Sequence, residues 1–420
     1  MTIFQFFHRL PYRSCVFVFF VEMLNYIRFN IGGDIGVGDF CMLIWIAVNF
    51  NNLNRILMVR TIGKLYFWLL LAQLFSELFV SNSINDTIRG LMVTIMSFCH
   101  LSFLIYFFLK DFRIIIFGLL GAGVQLFLLS DSLDETVKME VIMNGENAAY
   151  VKMRLAPALG YILSAIVMFI NRKASIVLFI LVGMLLILGG ARNGGMVFVL
   201  AALCALYFFR ENVNRKAKIS IVQLIIFILI SYIFYVLYVE GVQSNILLAG
   251  NNYRVLKLQN PYNPLELIYK NRTEFFVGIH AFVDNLFFGL GAWAKDETGQ
   301  YWRLLHQLAG DESSFIGVWM PVHSVLMGWG VYNGILAFIA GSRIILFLIK
   351  KAMFIIKHSS RNKYPVTFCF MLIAFLWNLL FSPPSHFRMT LPIYMAVIFV
   401  MYIDALNHVR KTTKIKLYAE

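Results

Sequence analysis

Three residues stand where their chemistry could be put to use. Arg192 lies in Gly189-Gly190-Ala191-Arg192-Asn193-Gly194-Gly195, between two apolar runs. Small neighbours let backbones approach closely and leave a guanidinium at the mouth of a helix bundle, within reach of an anionic ligand. A helix-end arginine bound to lipid headgroups is the competing reading. Arg272 lies in Asn271-Arg272-Thr273-Glu274, ahead of Gly289-Leu290-Gly291. A guanidinium makes bidentate bonds to phosphate, and the glycines permit a tight turn that could bring backbone N–H groups to the same anion. A solvated arginine paired with Glu274 is the plainer alternative.

His323, in Pro321-Val322-His323-Ser324 at the start of an apolar run, is the best candidate base. Imidazole takes a proton near neutral pH, and a membrane edge is where a sugar hydroxyl and a lipid phosphate could meet. A histidine there could instead satisfy backbone donors. His280, His306 and His386 are alternatives, as are the acids Glu274 and Asp311. Arg254, Lys257, Lys270 and Arg303 are lesser cations of the same region. Arg388, after Ser382-Pro383-Pro384-Ser385-His386-Phe387, is either a third cation or a topological anchor. Glu22, Arg28, Glu77 and Arg89 lie in or beside early apolar runs, where buried pairing accounts for them.

Much is excluded. The chain has neither a P-loop nor a G-x-G-x-x-G after a strand, and no H-E-x-x-H or acidic metal cluster. The glycines within 32–38 read as a turn. Cys15, Cys41, Cys99, Cys204 and Cys369 are scattered singly, which supports neither a disulfide framework nor a metal site. An enzyme built this way uses no cofactor and draws its energy from a substrate that arrives activated.

The elements that must position these residues are helices. Of 420 residues 60% are hydrophobic and 14% charged, against about 25% charged in a soluble domain. Apolar runs near the ~20 residues that cross a bilayer recur along the chain. The net charge of +14 does not point to nucleic acid, because the basic residues recur in short clusters in every second loop. These are Arg9/Arg13, Arg55/Arg60/Lys64, Lys110/Arg113, Arg172/Lys173, Arg210/Arg215/Lys216/Lys218, the cluster from Lys350 to Lys363, and Arg410/Lys411/Lys414/Lys416. The positive-inside rule makes all seven cytoplasmic. The first run imitates a signal peptide, but no small-residue cleavage site follows it, and it reads as the first helix.

The expected fold is an all-α polytopic membrane protein, a single integral membrane domain over 1–420 with about twelve spans and both termini cytoplasmic. The spans are expected near 14–29, 39–54, 65–81, 90–109, 113–130, 155–170, 174–190, 195–209, 219–239, 323–349, 366–382 and 390–406. The opposite-side loops are short except the acidic 131–154 and the segment 240–322, a length that is usually functional or disordered. Trp293, Trp302, Trp319 and many Phe, Leu and Ile argue that the latter folds. Within it, 265–288 has apolar residues at near-helical spacing and reads as one amphipathic interfacial helix.

Arg192 among small residues, Arg272 some seventeen positions before Gly289-Leu290-Gly291, and His323-Ser324 followed by Trp329 and Gly334 come in a particular order. In that order and placement the chain resembles the O-antigen polymerase and O-antigen ligase superfamily of bacterial envelope glycosyltransferases. Ala191 stands where serine often precedes the arginine, and Ser324 where asparagine is common. The resemblance implies metal-independent, inverting transfer of sugars carried on undecaprenyl diphosphate, at the periplasmic face of the bacterial inner membrane. Arg192 and Arg272 would hold the diphosphate and His323 would deprotonate or orient the acceptor hydroxyl. Arg254, Lys270, Arg303, Arg388 and Trp329 would contribute to the substrate site. Membrane lipids, a chain-length regulator and a flippase are the implied partners.

Two activities fit this residue set: polymerisation of lipid-linked repeat units, and ligation of the finished glycan to a lipid A core. A transporter or flippase of lipid-linked sugars would also have about twelve spans, but it would place its binding residues near the bilayer midplane.

Overall fold

The computed structural model describes residues 10–30, 34–80, 82–128, 150–209, 221–244, 255, 258–310, 316–358 and 362–417. The apolar runs fold as helices because backbone groups withdrawn from water must pair within their own segment. In order they are α1 (Tyr12–Met23), α2 (Val37–Asn54), α3 (Leu57–Glu77), α4 (Ile84–Lys110), α5 (Ile114–Leu128), α6 (Ala156–Ile166), α7 (Arg172–Leu188), α8 (Arg192–Phe208) and α9 (Ile221–Gln243). Three short helices follow: α10 (Pro264–Asn271), α11 (Thr273–Asp284) and α12 (Gln300–Ala309). The chain then re-enters the bundle through α13 (Val325–Lys357), α14 (Pro365–Phe381), the one-turn α15 (His386–Met389) and α16 (Leu391–Leu417). The described chain is all-α apart from a hairpin, β1 (Arg28–Asn30) and β2 (Asp34–Gly36), with Phe29 opposite Ile35, and an antiparallel bridge between Lys295 and Trp319.

Local sequence explains several starts. Ser83, Asn171, Asn263 and Ser324 each cap a helix by accepting a backbone N–H with the side-chain oxygen. Helix pairing is α1 with α5, α5 with α6, α7 with α8, α8 with α14, α3 with α13, and α4 with α16.

Three stretches are long and apolar enough to cross a membrane: α3, α4 and residues Leu391–Arg410 of α16. α5, α8 and α14 are apolar but shorter. α3 buries Ile62, Tyr66 and Leu69 while exposing Phe67, Trp68 and Phe75, the pattern of a helix whose outer face meets lipid rather than water.

Three expectations are corrected. The first helix stops at Met23, short of 29, because Leu24–Tyr26 turns and Asn25 Oδ1 accepts the Asp39 N–H at 2.9 Å, leading the chain into the hairpin. The amphipathic segment 265–288 is two helices broken at Arg272 (φ −131°, ψ 32°). The break lets α11 turn onto α13, where a Cβ on Gly278 would lie 3.2 Å from Met327 Cβ. The span near 323–349 runs on to Lys357 and kinks at Gly334, whose φ of +71° suits glycine.

Candidate functional site

The C-terminal end of α14 gathers two of the three sequence candidates. Arg272, at the α10–α11 break, places its guanidinium over the rings of Trp377 and Phe381, 5.0 Å from each centroid. The two rings, tilted 56° to each other, hold the guanidinium at this helix end by cation–π attraction. The capping residue Ser324 also bonds to α14: its hydroxyl donates to the Leu379 carbonyl at 3.3 Å and accepts the Met327 N–H at 3.2 Å. His323, next to it, is exposed. A cation and a base thus share one helix end.

Arg192 opens α8, and its Nη1 donates to the Tyr238 hydroxyl of α9 at 3.0 Å. α8 and α14 are antiparallel and each has 17 residues. Phe209, just beyond α8, meets Phe368 near the start of α14, with ring centroids 5.7 Å apart. α9 also anchors the chain leading to Arg272: the Tyr235 hydroxyl donates to the Pro261 carbonyl at 2.6 Å. Glu266 accepts the N–H groups of Gln259 and Asn260 at 2.8 and 3.0 Å. Those bonds, the Gln259 one foremost, hold its carboxyl below the usual carboxylate range.

Gly289-Leu290-Gly291 is a structural strap, which corrects the expectation of a phosphate-facing turn. Leu290 and Gly291 donate their N–H groups to the Val331 and Tyr332 carbonyls, both at 2.8 Å, and Gly289 donates to Asn285. These carbonyls lie just before the Gly334 kink, and Ile335 N–H donates across to Leu286. The strap therefore takes up bonds that a straight helix would have made internally. A Cβ on Gly289 would come within 2.5 Å of the Tyr332 carbonyl carbon, and one on Gly334 would collide with the Phe287 carbonyl oxygen.

Glu77, at the end of α3, clamps the same strap. Its Oε1 accepts from Ala292 N–H (2.7 Å) and Asn333 Nδ2 (3.3 Å), its Oε2 from Asn82 Nδ2 (3.1 Å) and the Thr87 hydroxyl (2.8 Å). Arg89 lies over the Trp293 ring at 3.8 Å, and Trp293 itself takes a left-handed φ of 58°, a strained conformation for a bulky residue.

The other candidates are dispersed. Lys270 pairs with Glu266 at 3.4 Å. Arg303 donates to the Thr298 carbonyl from the exposed face of α12. Trp329 is 6% exposed and packs edge-on to Phe387, so its ring belongs to the core. Arg388 pairs with Asp39 at 2.5 Å, joining α15 to the start of α2. Arg254, Lys257 and Asp311 lie outside the described residues. His280 is exposed on α11, His306 lies beside Trp302, and His386 meets the Thr390 hydroxyl at 3.1 Å. Glu274 is half-buried in the first turn of α11. Among the early residues, Glu22 pairs with His100 at 2.7 Å and Arg28 donates to the Asn25 carbonyl at 3.4 Å.

Sequence reasoning missed Trp377, Phe381 and Tyr238, the groups that orient the two arginines. They sit in apolar runs where an aromatic residue reads as core or lipid-facing, and only tertiary pairing distinguishes them. Among the described residues no group of three or more His, Cys, Asp or Glu could hold a metal ion. A small cleft lined by Val167, Arg172, Lys363 and Tyr364 lies at the opposite ends of α7 and α14 from this site. No protein-family profile matches the chain, and no curated protein matches it.

Proposed function

We propose that the chain is a polysaccharide polymerase of the bacterial inner membrane, a metal-independent, inverting glycosyltransferase with about twelve spans and cytoplasmic termini. It joins oligosaccharide repeat units carried on undecaprenyl diphosphate, with the site facing the periplasm. The observation that carries this reading is the convergence of Arg272 and His323 on the C-terminal end of α14, with Arg192 at the start of the neighbouring α8. Fixed cations beside a base are what diphosphate departure requires when no metal is used.

In the proposed step an acceptor hydroxyl oxygen attacks the anomeric carbon from the face opposite the diphosphate. The carbon–oxygen bond to phosphate breaks, and its electron pair leaves with the lipid diphosphate. The hydroxyl proton passes to a ring nitrogen of His323. Arg272, held by Trp377 and Phe381, and Arg192, tied to Tyr238, stabilise the charge developing on the leaving phosphate.

The test is genetic and chemical. In a deletion host, wild type should restore long glycan chains, whereas Arg192→Ala, Arg272→Ala and His323→Ala, at equal membrane levels, should lower chain elongation by roughly 100-fold or more. Single repeats on the carrier indicate failed polymerisation, and long chains retained on the carrier indicate a ligase. A normal ladder from all three variants would rule out the catalytic assignment and favour transport.

A further inference from the structure

Glu22 of α1 and His100 of α4 meet inside the bundle, and their surroundings fix how many protons they hold. His100 Nε2 lies 2.7 Å from Glu22 Oε1, and its Nδ1 lies 3.4 Å from the Arg388 carbonyl oxygen of α15. A neutral imidazole has one N–H and leaves its other nitrogen an acceptor. With Glu22 ionised and His100 neutral, one ring nitrogen would therefore turn a lone pair on an oxygen. One added proton removes the conflict in either of two places. On His100 it makes an imidazolium that donates to both oxygens. On Glu22 it makes a carboxylic acid that donates to Nε2, while Nδ1–H donates to the Arg388 carbonyl.

Charge leads to the same count. Both residues are buried, and a lone carboxylate there would be an uncompensated charge in an apolar bundle, a costly state. No other charged group pairs with Glu22 among the described residues. The packed elements offer no substitute. α5 has no titratable residue and approaches through Gly121, where a Cβ would lie 2.9 Å from Glu22 Cβ. Asp39 of α2 and Arg388 of α15 neutralise each other at 2.5 Å. His386 of α15 meets the Thr390 hydroxyl, and Tyr66 of α3 meets Ser97. Tyr161 of α6, stacked on Tyr394 of α16, is near enough to feel the Glu22 charge and brings no positive charge of its own.

We propose that Glu22 and His100 form a buried proton-binding site that holds one proton between them, and that this proton latches α15 to the bundle. Without it, the single imidazole N–H goes to the Glu22 carboxylate, the stronger acceptor, and the Arg388 carbonyl loses its donor. α15 and the turn before it pack on the start of α13: Phe387 is edge-on to Trp329, and a Cβ on Gly328 would lie 2.7 Å from Pro384 Cγ. The latch thus bears on the helix that begins just after His323. It is closed while the pair keeps its proton and is released as rising pH removes it. This goes beyond the glycosyltransferase reading and does not depend on it.

Nitrogen NMR of the purified full-length protein in nanodiscs, with isotope-labelled histidine, reads the proton count. Near neutral pH, His100 Nδ1 should carry a proton. A protonated Nε2 beside it puts the shared proton on His100, and a bare Nε2 puts it on Glu22. A bare Nδ1 beside a protonated Nε2 overturns the proposal. His100→Leu assigns the resonance; if that variant does not fold, the wild-type signal is recognised by its protection from a water-soluble paramagnetic ion. Amide exchange at Phe387, Arg388, Met389 and Thr390, whose N–H groups bond within 384–390, reads the latch. Corrected for the intrinsic rate, protection there should fall at least about tenfold as His100 loses its proton, and equally in His100→Leu, while α7 and α8 keep theirs. Unchanged protection at these four amides in His100→Leu, or in wild type after His100 has titrated, overturns the latch.

Discussion

Glu77 shows how one carboxylate can tie several elements together. It accepts from four groups belonging to α4, the α3–α4 turn, the glycine strap and α13. Its negative charge matches four donors, and an amide would turn two of its acceptor sites into donors facing donors. Glu77→Gln should therefore lower stability by ~1–3 kcal/mol, measured as the melting of tryptophan fluorescence in detergent. The neighbouring exchange Asp86→Asn, at an exposed cap, should change it far less. From sequence, Glu77 was one acid at the end of an apolar run. Its partners lie up to 256 positions away, a distance over which spacing carries no information.

At the scale of elements, two glycines separate backbone strain from collision. Gly334 and Gly310 both have left-handed φ, of 71° and 66°. A Cβ on Gly310 would have only Lys270 Nζ nearby, at 3.9 Å, whereas one on Gly334 would run into the Phe287–Phe288 backbone. Gly310→Ala should cost about 1 kcal/mol, the left-handed penalty alone. Gly334→Ala should cost about 3 kcal/mol or more and release the strap from α13. Thermal melting gives the energies, and amide exchange at Leu290 and Gly291 reports the strap. Equal costs at the two positions would show that strap and kink are not coupled.

The break at Arg272 belongs to the same scale. The apolar spacing across 265–288 satisfies one long helix, yet two helices form, because only a change of axis seats α11 against α13 while α10 stays by α9. Tertiary packing overrode a sound local pattern. The caps, by contrast, were local chemistry, and Ser324 illustrates the limit: its capping bond follows from sequence, its bond to Leu379 does not.

Across the whole molecule, the first and fourth helices and the one-turn α15 are joined by polar groups buried in an otherwise apolar bundle. His100 on α4 has one ring nitrogen 2.7 Å from Glu22 on α1 and the other 3.4 Å from the Arg388 carbonyl. Arg388 in turn pairs with Asp39 at the head of α2. Glu22 and His100 are 1% and 7% exposed, so removing either partner strands the other. Glu22→Gln or His100→Gln should each cost about 3–5 kcal/mol, and the double variant should cost less than the sum of the two. Strict additivity would show that the pair does not act as a unit. Topology is read at the same scale: a C-terminal fluorescent protein should fluoresce, and alkaline phosphatase fused after residue 310 should be active. The reverse result would invert the orientation inferred from the basic clusters.

The sequence by itself determined that the chain is helical and apolar, and where several of its helices lie. These are local properties, set by composition, capping and the need of each apolar segment to satisfy its own backbone. It also marked Arg192, Arg272 and His323 as residues worth explaining. Only the tertiary structure decided the partners: Arg272 against Trp377 and Phe381, Arg192 against Tyr238, the glycine strap bound to a broken helix, and Arg388 paired with Asp39. The reason is physical. A guanidinium or a strand of free N–H groups has many acceptable partners, and the choice among them is made by the packing of helices far apart in the chain, which no local pattern encodes.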